Sequence, residues 1–216
     1  MNRAAIAAAL LAAMPAMAQI PPSPAEVQRY SGLHCAAASG DVAHIKASPM
    51  VDSRDAHGRT PLHVAAYRGK HAAMRALVDA GADPNALESG RYDIVTIAAV
   101  ADDLPTLRLA LALGTSAKNL TSRYDGTALI AAAHLGHAEV VRTLIDAGAP
   151  LDHVNNLGWT ALMESIVLGD GGPRHVDTLK ALLDAGADAS LSDRNGVTPL
   201  QHAQRRGYLE MVKALE

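Results

Sequence analysis

One phrase recurs along this chain and limits what it can fold into. "GRTPLHVAAYRG", "DGTALIAAAHLG", "GWTALMESIVLG" and "GVTPLQHAQRRG" place threonine at 60, 127, 160 and 198, at spacings of 67, 33 and 38 residues. A degraded copy, "RYDIVTIAAVAD", carries Asp93 at the threonine position and divides the first interval into 33 and 34. Upstream, "SGLHCAAASGD" aligns Leu33-His34 with Leu62-His63 at a distance of 29 residues. A period of this size belongs to stacked supersecondary units, none of which buries its apolar face alone.

The second half of each period repeats as well. "MRALVDAGADPN", "LRLALALGTSAK", "VRTLIDAGAPLD" and "LKALLDAGADAS" put aliphatic residues at helical spacing and end near a glycine. Each unit therefore reads as helix, short turn, helix and glycine exit. Gly81, Gly148 and Gly186 are expected to cap the second helices in left-handed conformations. Alanine is abundant and phenylalanine absent, as suits closely packed helices. Ala65-Ala66 and Ala132-Ala133 let first helices approach, while Leu77, Leu144 and Leu182 fill the space between second helices.

These phrases resemble the ankyrin repeat. The pattern Gly-x-Thr-Pro-Leu-His-x-Ala-Ala, closing with Gly-Ala-Asp, is nearly complete over Gly58–Ala66 and Gly81-Ala82-Asp83. The resemblance implies an all-α repeat solenoid with short β-hairpin-like turns. About six units are expected, at 29–54, 55–87, 88–121, 122–154, 155–192 and 193–216, the outer two acting as caps. Thr60, Pro61, Leu62, His63, Gly81, Thr127, Gly148, Thr160, Gly186 and Thr198 are its structural residues. Local stability is expected to be lowest over 88–120, where the threonine and proline are lost, and near the C-terminal end.

Residues 1–18 have a short positive start at Arg3, an apolar run over Ala4–Ala13 and small residues at Ala16 and Ala18. That layout predicts a signal peptide cut before Gln19, a linker over 19–28 and a periplasmic or secreted product. A buried alanine-rich helix or a cytosolic scaffold is the competing reading. No further hydrophobic segment follows, so no membrane segment is expected after cleavage. The single cysteine, Cys35, cannot form an intramolecular disulfide. Net charge is −3, and loss of Arg3 makes the remainder more negative, so nothing attracts nucleic acid.

Polar residues that hint at chemistry fit the repeat better. His63 and His34 occupy the Leu-His position, where an imidazole braces a neighbouring turn. His71 and His137 are read as equivalent positions at the start of second helices. His134 and His137 lack a third ligand at metal spacing, so no metal and no cofactor is expected. Cys35 aligns with Val64 and reads as packed and inert. Asp79, Asp146 and Asp184 repeat along the solenoid instead of pairing as catalytic carboxylates. The chain is expected not to be an enzyme.

Positions free of framework duty are left to meet a partner. In this register they are Ala56, His57, Arg59, Tyr92, Arg123, Tyr124, Asn156, Leu157, Trp159, Arg194, Asn195 and Val197 on hairpins. First-helix edges add Tyr67, Arg68, Leu135, Leu168, Arg205 and Arg206. Together they would line a concave face that binds a protein, with the chain itself a monomer. Trp159 is the sole tryptophan; it either contacts the partner or packs over the adjacent hairpin. The fifth unit carries five extra residues at "LGDGGPRHV", which are a contact loop or tolerated drift. A ligand-binding protein or enzyme using the groove or the 169–175 loop is the alternative. Exported proteins of this resemblance are associated with catalase-linked oxidative-stress defence or with toxin immunity.

Overall fold

A computed structural model describes residues 19–48 and 50–216. The expected signal peptide, 1–18, lies outside the described residues. Among the described residues, six helix pairs follow a short helix, α1 (Pro24–Arg29). The pairs are α2 (Gly32–Ser39) with α3 (Val42–Lys46), α4 (Pro61–Tyr67) with α5 (His71–Asp79), and α6 (Ile94–Val100) with α7 (Leu104–Ala112). Next come α8 (Ala128–Leu135) with α9 (Ala138–Asp146), α10 (Ala161–Val167) with α11 (Pro173–Asp184), and α12 (Pro199–Arg206) with α13 (Leu209–Leu215).

Side-chain caps explain why each first helix starts where it does. Thr60, Thr127, Thr160 and Thr198 have extended backbones, and their hydroxyls accept the amides of His63, Ile130, Met163 and Gln201. Pro61 and Pro199 open two of these helices, where a missing amide hydrogen costs nothing. Second helices end as the sequence predicts: Gly81, Gly148 and Gly186 have φ of 98°, 80° and 93°. Their following amides turn back to Leu77, Leu144 and Leu182 carbonyls at 2.9–3.0 Å.

First helices stack in a continuous row from α2 to α12, each against the next. Ala65, Ala132 and Ala133 at those contacts have no exposed surface, and neither have Leu77, Leu144 and Leu182 beneath the second helices. Burying each such leucine contributes about 2 kcal/mol. The connecting hairpins are turns: Asp55, Asn155 and Asp193 donate their amides to the carbonyls of Arg59, Trp159 and Val197 at 2.9–3.0 Å. Among the described residues the sole bridge of β type joins Thr121 and Gly126. The fold is an all-α solenoid.

Several local expectations need correction. The predicted linker over 19–28 is helical from Pro24 onward, running into α1, which is started by a reciprocal cap in which Ser23 bonds the Glu26 amide and Glu26 returns to Ser23. Cys35 is exposed, whereas its counterpart Val64 is fully buried. Val64 has a unit on either side; Cys35 belongs to the first. The third unit is not left uncapped: the Asp93 carboxylate accepts from the Thr96 amide at 2.7 Å and from Asn119 at 2.8 Å. That replaces the missing threonine cap, while the proline that opens α4 and α12 is still absent from this helix start. Finally, Gly69 and Gly136 set the register of the second helices, so His137 matches Lys70 and not His71. Both His137 and Lys70 are N-caps, while His71 is the first helical residue of α5.

The five extra residues of the fifth unit fall between its two helices, as expected. Part of them extends α11 to 12 residues against 9 in α5, α7 and α9. The remaining turn is pinned: His175 bonds Asp170 at 2.8 Å and the His134 carbonyl at 3.0 Å, and Tyr208 bonds the Gly169 carbonyl at 3.0 Å.

Candidate protein-binding surface

The histidines of the Leu-His position join one unit to the next. His63 Nδ1 accepts the Thr60 amide at 3.1 Å, so its Nε2 carries the proton and donates to the Tyr92 carbonyl at 3.1 Å. Burial pushes the His63 pKa down to about 4, which keeps the ring neutral. His34 repeats the bridge one unit earlier, from Nε2 to the Arg59 carbonyl at 2.9 Å. His71 bonds Thr106 Oγ1 at 2.8 Å and His137 bonds the Ala99 carbonyl at 2.9 Å. All four imidazoles serve the frame.

Three of the hairpins are tied by the first residue of their unit. Asp55 Oδ1 accepts the amides of His57 and Arg59, Asn155 Oδ1 those of Leu157 and Trp159, and Asp193 Oδ1 those of Asn195 and Val197, at 2.8–3.0 Å. This constraint presents the hairpin side chains in fixed directions. Neighbouring hairpins are tied to each other as well. Asn156 donates its amide to the Tyr124 carbonyl and its side chain to the Arg123 carbonyl, both at 2.9 Å. Arg194 donates in turn to the Asn156 carbonyl at 2.6 Å.

These ties bring a subset of the expected surface together. Arg123, Asn156, Arg194 and Asn195 are exposed, and Tyr124, Leu157 and Trp159 are half-buried beside them. Arg123 lies over the Tyr124 ring at 5.4 Å. Ala56, Arg68 and Arg205 are also exposed, and His57, Tyr67, Leu135, Leu168 and Arg206 are half-buried.

Three expected surface residues are not there. Arg59 has no exposed surface; it pairs with Glu26 of α1 and, at 2.7 Å, with Asp55. Tyr92 is 6% exposed, with its ring folded close over Gly90. Val197 is 6% exposed. For Arg59 the reason is α1, which supplies a carboxylate that no repeat pattern contains.

A model described as ankyrin repeats in three copies matches residues 95–193, one described as ankyrin repeats in many copies matches 173–216, and a single ankyrin repeat matches 57–89. The Escherichia coli (strain K12) ankyrin repeat protein YahD is 33% identical over 185 residues, covering 83% of this chain and 92% of its own. The chain is an ankyrin-repeat protein. An ankyrin repeat domain from Acinetobacter baumannii AYE superimposes with a TM-score of 0.78 at 46% identity, over 85% of this chain and 95% of that one. The ankyrin repeat protein EF0377 gives 0.78 at 34% identity, over 86% and 98%.

The ankyrin frame shows what the repeat pattern concealed. Glu164 occupies the position held by buried Val64 and Ala131 in other units, and is itself 4% exposed. Burial raises its pKa to about 7, against the opposing hydrogen bond from Asn155 Nδ2 at 2.7 Å. His134 Nδ1 approaches its other oxygen at 3.5 Å. In the sixth unit the acid stands at the hairpin instead, where Asp193 meets His202 at 3.0 Å. A carboxylate in an aliphatic repeat position was readable from the alignment as a departure. Its partner was not, because Asn155 resembles an ordinary turn residue. Among the described residues no three metal-ligating side chains gather into a site. No described helix is long and apolar enough to cross a membrane. This ankyrin fold is of the kind typical of protein–protein interaction scaffolds.

Proposed function

We propose that this chain is an exported, non-catalytic module, periplasmic or secreted, that binds a protein through the concave face of its first helices and hairpins. The observation carrying this reading is the strip of Arg123, Tyr124, Asn156, Leu157, Trp159 and Arg194 on three hairpins locked to one another. Large rings beside arginines on a rigid support are the side chains that anchor protein interfaces. Export is read from residues 1–18, and the mature N-terminus of the purified native protein tests it: retention of Met1 would count against it.

Affinity capture from the native compartment identifies the partner, and Trp159→Ala then tests the surface. The expected result is at least a tenfold loss of affinity with a Tm within a few degrees of the parent. Unchanged affinity with a lowered Tm would show that Trp159 packs and does not bind. Within this class, support of catalase-linked oxidative-stress defence and immunity against a toxin are the two roles that the captured protein distinguishes.

A further inference from the structure

The segment before α1 crosses the array in a way the fold does not require. Gln19 donates its side-chain amide to the Thr96 carbonyl in the third unit at 2.9 Å, across 77 residues of sequence. One residue later, the Ile20 carbonyl accepts from Arg59 Nη1 in the second unit at 3.0 Å. Pro22 is buried, and Ser23 then begins α1. Pro21 and Pro22 hold the run extended, so Gln19–Pro22 spans roughly 10 Å at about 3.1 Å per residue. Arg59 stays paired with Asp55 through Nε and with Glu26 through Nη2, so lifting the strap frees only the Nη1 bond to Ile20.

The face beside Arg59 also holds unused bonding capacity. The Tyr67 hydroxyl on α4 is buried and has no hydrogen-bond partner among the described residues, and Tyr67 lies close enough to Arg59 and Glu88 to feel their charge. Ile20 itself remains 55% exposed.

We propose that Gln19–Pro22 is an intramolecular stand-in for the partner. The face of the second and third units takes an extended polypeptide that offers a carbonyl to Arg59 and an N–H donor to the Thr96 carbonyl, and the strap lifts to admit it. This rests on the protein-binding reading above and adds the partner's conformation and its point of entry.

The probe is the acetylated, amidated hexapeptide Gln-Ile-Pro-Pro-Ser-Pro, titrated into the ¹⁵N-labelled full chain. In the parent the tethered strap competes at an effective concentration of the order of millimolar. Gln19→Glu loosens the strap, because a carboxylate cannot donate to the Thr96 carbonyl. The peptide should shift the Arg59 Nε–H and the Ile97 amide in this variant, with an apparent affinity at least tenfold tighter than in the parent. A peptide starting with Glu should shift neither. Equal titration of variant and parent, or none of either, overturns the proposal. Should Gln19→Glu disturb the fold, the parent alone decides: excess peptide must move its own Gln19 side-chain amide signals to free positions, and static signals overturn it. A captured partner that binds parent and Gln19→Glu alike, with no peptide titration, would remove the strap and leave the protein-binding reading standing.

Discussion

Arg59 and Glu164 are charged groups placed where a repeat normally keeps apolar or exposed side chains, and the two should respond oppositely to truncation. Arg59→Ala leaves Asp55 and Glu26 facing an empty, buried space, at a cost of about 3–5 kcal/mol in urea denaturation. Glu164→Gln should stabilise. The folded-state pKa of Glu164 is raised from 4.5 to about 7, so the carboxyl favours folding only while protonated. Its contribution is intact below pH 4.5 and lost as pH rises through 7. The glutamine variant should therefore match the parent near pH 4.5 and exceed it by about 3 kcal/mol at pH 8. His63 has the reverse sense. Its pKa is lowered from 6.5 to about 4, so the stability of its neutral bridge is present above pH 6.5 and lost as pH falls through 4. In His63→Gln, unfolding followed by circular dichroism should show a weaker loss of stability between those limits.

At the level of the element, caps decide where helices stand, and the third unit is the informative one. Asp93→Ala removes both the bond to the Thr96 amide and the one to Asn119, and should cost about 1–2 kcal/mol. A loss below a few tenths, measured by chemical denaturation, would return the third unit to the weak status its missing threonine implied. This case also shows how far the elements were legible. Thr, Leu-His and Gly fix position by local bonding, and those bonds lie within one unit or reach the next, so a repeated phrase is enough to read them. Helix α1 had its own sign in Ser23 and Glu26, a reciprocal cap outside the repeat. The burial of Arg59 had none, because its partner Glu26 lies 33 residues away in a segment with no counterpart elsewhere in the chain. Cys35 was misread for a related reason: alignment transfers a neighbour's burial to a unit that has no neighbour on that side.

Over the whole molecule, order depends on having units on both sides. Leu209 is 71% exposed on α13, which packs chiefly on α11 and α12. Native-state hydrogen exchange should thus give the least protected helical amides in α13 and the most protected in α8 and α10. Uniform protection along the array would mean that the stack opens as a single cooperative body. The Asn155–Glu164 and Asp193–His202 pairs carry a consequence of a different kind, for how such a gene can grow. Both members of each pair sit nine residues apart inside one unit, so the pair is inherited as a package. A tandem duplication whose junctions fall outside 155–164 delivers an acid together with its amide. A junction falling within that interval, joined to a unit like the sixth, would set Asp193-type and Glu164-type carboxylates against each other, and the recombinant would be lost at folding.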